Sequence, residues 1–96
     1  MEIMLTIIDR KMIRLLKAID LQEIIIDKRY ANKLRDFEVV ELFRNYNNEI
    51  KELIDEINEI EVEAIRNRNE SIMFQCEGKK AKLLNTMTRL TYKYDM

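Results

Sequence analysis

Along the first third of the chain a stripe recurs at alternating steps of three and four: Leu5, Ile8, Met12, Leu15, Ile19, Gln22 and Ile26. That spacing holds every side chain on one side of an α-helix. Gln22 is its single polar member, and no charged residue falls on it, whereas Arg10, Lys11, Arg14 and Lys17 fall off it. Leu16 widens the stripe, and Ile13, Ile24 and Ile25 lie further round the helix. A helix that is apolar on more than one side usually has more than one neighbour. Asp20 marks the place where a kink or a split would fall.

Register is lost around Asn32–Asp36, and Asp36 is a suitable cap for a second helix. A cleaner seam follows in Phe43, Tyr46, Ile50, Leu53, Ile57, Ile60 and Ala64. Glu49, Glu52, Asp55, Glu56 and Glu59 crowd the flanks without touching it. Three heptads of this kind form a coiled-coil pattern.

This helix does not continue unbroken to the C-terminus. Projected at 100° per residue, Ile72, Met73, Cys76, Leu83, Leu84, Met87, Leu90 and Tyr94 cluster roughly 110° from the earlier seam. An unbroken helix would place Lys82, Arg89 and Lys93 on the hydrophobic stripe instead. Between the two available breakpoints, Asn67–Ser71 and Gly78, the first agrees with the phase of Ile72, Met73 and Cys76, and Asn69 is then the cap. Gly78 falls inside the third helix, at a cost of about 1 kcal/mol relative to Ala.

The pattern therefore predicts an all-α chain, at least three-quarters helical and without a sheet. Its long antiparallel helices cover about 2–33, 36–66 and 70–94, as a helical hairpin or three-helix arrangement with coiled-coil-like seams. At 1.5 Å per residue the three run to roughly 48, 46 and 37 Å. Residues 1–96 read as a single helical domain. A core of this size is marginal alone, so oligomerisation is the expected completion.

Composition narrows the chemistry. There is no Pro, one Gly, no His and one Cys, which excludes Ser/His and Cys/His nucleophilic pairs, His-based metal sites, zinc ribbons and an internal disulfide. Charged residues make up 36 % of the chain but cancel to a net −1. By segment they do not cancel: residues 1–36 carry net +2, residues 37–65 net −7 and residues 77–96 net +3. An acidic middle helix between two basic ones favours helix pairing with opposite signs alongside, which sets orientation more than it adds stability.

Uncharged runs reach six residues, far short of the roughly 20 a membrane span requires. Glu2, Asp9 and Arg10 interrupt any secretory leader. With a free Cys, the expected compartment is the cytoplasm, or the host cytoplasm for a viral chain. Richness in Ile, Asn, Lys and Glu with little Ala points to an AT-rich genome, and the size fits a viral or plasmid source.

Glu38-x-x-Glu41 followed by Glu52-x-x-Asp55 is similar to the ExxE…ExxD pattern of the all-α nucleotide pyrophosphatases, which hold magnesium between facing helices. Here both pairs fall on one helix, with Glu52 and Asp55 pointing away from its seam. A cation needs carboxylates converging from several directions, so no metal, cofactor or catalytic residue is assigned. Cys76 shares the apolar side of the third helix and reads as a buried, inert thiol. Met73 and Met87 read as core, and Tyr30, Tyr46, Tyr92 and Tyr94 as caps on core edges.

Lys82, Arg89 and Lys93 form one stripe, with Lys79 and Lys80 at its start, and make a candidate polyanion-binding face. The leading functional expectation is a non-enzymatic protein–protein interaction module (adaptor, regulator or inhibitor) acting as a homo-oligomer, in the first place a dimer, and docking another protein. The alternative is a small nucleic-acid-binding regulator that uses basic stripes on the first and third helices.

Overall fold

The computed structural model describes residues 1–29 and 37–96. Three helices follow one another: α1 (Glu2–Arg29), α2 (Phe37–Arg66) and α3 (Glu70–Tyr94). They are 28, 30 and 25 residues long, and no strand occurs among the described residues. Asp20 does not interrupt α1. The expected continuation of the first helix to residue 33, and the cap at Asp36, lie outside the described residues.

The helices run up, down and up as a three-helix bundle. Side chains of α2 meet those of α3 in reverse order: Lys80 reaches Glu61, Asn47 reaches Thr91, and Phe43 stacks on Tyr94 with ring centroids 4.0 Å apart. Lys11 of α1 bonds Glu56 of α2 at 2.9 Å. The bundle is elongated, 51 × 20 × 15 Å, as three side-by-side helices of these lengths require.

The break between α2 and α3 is built from backbone bonds that the local sequence supports only in part. Asn69 N–H donates to the Ala64 carbonyl at 2.9 Å, and Arg68 N–H donates to that of Ile65 at 3.1 Å. This pair of bonds is the Schellman ending of a helix, which needs one residue in the left-handed region. Glycine is the usual occupant; here it is Arg68, at φ 52°. Asn69 then starts α3, its side chain accepting from Ile72 N–H at 3.2 Å. Satisfying an otherwise orphaned amide in this way typically contributes about 1 kcal/mol. Gly78 lies in mid-helix, and a Cβ built on it meets nothing within 4 Å.

The core follows the predicted seams, lengthened by buried Val39 at the start of α2, with two polar changes. Leu5, Ile8, Met12, Ile19 and Ile26 are buried in α1, and Phe43, Ile50, Leu53, Ile57, Ile60 and Ala64 in α2. Leu15 and Tyr46 are partly buried at its edge. The first change is that Glu23, not Gln22, takes the buried place between Ile19 and Ile26, so the α1 stripe does carry a charge. The second is Asn47, buried beside the α2 seam, where its amide donates to Thr91 Oγ1 at 3.1 Å. From α3 come Ile72, Cys76, Leu83, Leu90 and Tyr94. Tyr92, expected to cap a core edge, is 89 % exposed because its position turns it away from both neighbours.

Candidate interaction surface

Two helices of net positive segments lie side by side, and α1 supplies the acids that hold α3. Lys79 bonds Asp9, Arg89 bonds Glu23 at 2.6 Å, and Lys93 bonds both Glu23 at 3.0 Å and Asp27 at 3.1 Å. Every one of these pairs joins residues 66 or 70 positions apart. That constant offset is the signature of two parallel helices locked in one register.

Glu23 is the centre of this ladder. Burial alone would raise its carboxyl, but the hydrogen bonds from Arg89 and Lys93, and their charges, outweigh that and hold it below the ordinary value of 4.5. Arg89 is raised in turn, chiefly by its bond to Glu23. Lys93 is also raised: burial works against its charge, and the bonds to Glu23 and Asp27 overcome it.

The candidate polyanion stripe is therefore mostly engaged inside the molecule. Arg89 and Lys93 face α1, Lys79 does the same, and Lys80 is bonded to Glu61 at 2.8 Å and to Asn58 at 3.1 Å. Lys82 is exposed and makes no ion pair among the described residues. Cys76 lies fully buried, its thiol raised by desolvation and by nearby Glu61 against the opposing pull of Lys80 and Lys79. A thiol so placed is poorly ionised and inaccessible. Glu38, Glu41, Glu52 and Asp55 are all exposed along α2.

What the core leaves uncovered lies mainly on α1. Ile3, Met4, Ile7, Ile13, Leu21 and Ile24 are each 45–78 % exposed, with Ile25 at 36 %. Projection at 100° per residue places Arg10, Arg14, Lys17 and Lys28 among them, while Asp9, Glu23 and Asp27 are bonded to α3 and Glu2 and Asp20 fall at the margin between the two sides. The outward side of α1 thus combines large aliphatics with cations and carries no acid. None of these four cations makes an ion pair among the described residues.

Beside this face runs an open groove between α1 and α2, about 430 Å³ in volume at its middle. Leu15, Ala18 and Leu53 contribute apolar lining, Lys11 and Arg14 stand on the α1 side, and Glu49, Glu52 and Glu56 on the α2 side. Towards the N-terminus of α1 it continues past Met4, Ile7 and Glu59. The groove is therefore bipolar across its width. The periodic sequence showed a second apolar side to α1 through Ile13, Ile24 and Ile25, but not the groove, whose walls come from residues some 40 positions apart.

Among the described residues, no helix is long and apolar enough to cross a membrane. No known protein family matches the chain, and no curated protein or solved structure is significantly similar to it.

Proposed function

We propose that this protein is a non-enzymatic helical interaction module that works as a homo-oligomer and docks other protein surfaces through α1. One observation carries this reading. A helix already supplying a full row of core residues on one side presents a second set of isoleucines and leucine to solvent on the other. Single exposed aliphatics are ordinary, but a contiguous set along one helix is what protein contact surfaces use.

Nucleic-acid binding is the second reading, and the ladder on α3 changes where it would act. With Arg89 and Lys93 bonded to α1, the unpaired cations described on the first and third helices are Lys82 and, on α1, the row Arg10, Arg14, Lys17 and Lys28. Large aliphatics between them suit a protein partner better than a phosphate backbone, whose attraction is electrostatic and falls steeply with salt.

Replacing Leu21 and Ile25 together by Asn tests the leading reading. Both are exposed, so helix content and melting should change little, while self-association read by sedimentation should weaken. Ile50→Asp and Ile57→Asp provide the contrast: each side chain is fully buried, so an unpartnered charge there should abolish folding itself. Undiminished association of the Leu21/Ile25 variant, or duplex binding at low salt by a monomeric chain, would overturn the proposal.

A further inference from the structure

We infer that the α1/α2 groove face is the docking site for a second copy of this chain, in a two-fold dimer whose axis runs parallel to the helices. The inference rests on the self-association proposed above and adds its geometry. Two copies packed groove to groove have their two-fold axis in the plane between them, and only two directions keep the helices aligned. An axis across the helices lays α1 on α1 and α2 on α2. An axis along the helices lays α1 of each copy on α2 of the other.

Charge decides between them. The α2 side of the groove presents Glu49, Glu52, Glu56 and, further along, Glu59. The α1 side presents Lys11 and Arg14. An axis across the helices would press these acids against their own copies and Arg14 against Arg14. Like charges brought together at an interface oppose association and exclude such pairings. The axis along the helices instead sets basic side on acidic side, twice.

That axis preserves height along the helices. Arg14 and Glu52 line the same stretch of groove within one chain, so Arg14 of each copy arrives beside Glu52 of the other. Neither makes an ion pair among the described residues, unlike Lys11, which is bonded to Glu56. At the same end as the α1 C-terminus, exposed Leu21 and Ile25 arrive over partly buried Leu42 and Tyr46. The interface then has charged pairs at its middle and apolar contact at that end.

The test uses Arg14→Glu and Glu52→Arg, singly, combined in one chain, and as a mixture of the two single variants, with circular dichroism confirming that each folds. Each single variant alone should dimerise at least about tenfold more weakly than the unaltered chain, since it sets like charges together at two places. An equimolar mixture should restore dimers, because each chain then meets its opposite at both places. The doubly substituted chain should recover dimerisation by the same logic.

Single variants that dimerise as well as the unaltered chain overturn this geometry while leaving self-association standing. An unaltered chain that stays monomeric overturns both. A monomer that sediments with phosphatidylserine vesicles, or shifts duplex DNA, identifies the other occupant of the face and likewise overturns the second copy.

Discussion

Glu23→Gln isolates the ladder that fixes α1 against α3. The substitution keeps the shape of a side chain only 9 % exposed and removes the charge that Arg89 and Lys93 share. Hydrogen bonds to a charged group contribute about 1.5–3 kcal/mol each when shielded from water. Here the partners are partly in water, with Arg89 48 % and Lys93 30 % exposed, which moves each bond towards the 0.2–1 kcal/mol of surface pairs. A total loss of about 1–2 kcal/mol follows. For a domain of this size that lowers the melting temperature by roughly 4–8 °C per kcal/mol. The assay is thermal melting by circular dichroism at matched protein concentration. Because the Glu23 carboxyl lies below 4.5 in the folded chain, its contribution is fully present above that pH and is lost as pH falls through the lowered native value. The gap between the two proteins should therefore be wide at neutral pH and narrow steadily as acid protonates Glu23, below its ordinary titration range. A variant that melts with the parent at neutral pH, or a gap that persists unchanged in acid, would refute the reasoning.

Two further predictions concern the backbone. Gly78→Ala should raise stability by about 1 kcal/mol in the same melting assay, since the position is mid-helical and a methyl there meets nothing. Arg68→Gly should add about 0.5 kcal/mol, because relief of a left-handed φ exceeds the freedom glycine gives the unfolded chain.

Much of this architecture was legible in local pattern. The phase change between Ile60 and Ile72 located the turn, and Asn69 was readable as a cap because its short side-chain carbonyl can accept from the first free amides of a helix. What escaped was non-local. Gln22 and Glu23 both satisfy steps of three and four between Ile19 and Ile26, and the cations that make Glu23 the buried one come from a helix 66 and 70 residues away. For the same reason α3 by itself shows Arg89 and Lys93 as a basic face, while the acids that engage them belong to α1. Asn47 is buried because Thr91 receives its amide, again across two helices. Arg68 defied turn preferences, since the chain's one glycine lies elsewhere. The second apolar side of α1 was visible as misplaced isoleucines, whereas the acidic α2 side facing it across the groove emerged with the fold.

Self-association through the uncovered face of α1 is the claim on which the functional account stands. Light scattering of the unaltered chain over a micromolar concentration series measures it directly. The account predicts a mass rising to twice the 11.7 kDa of one chain. A mass that stays at 11.7 kDa throughout the series would contradict it.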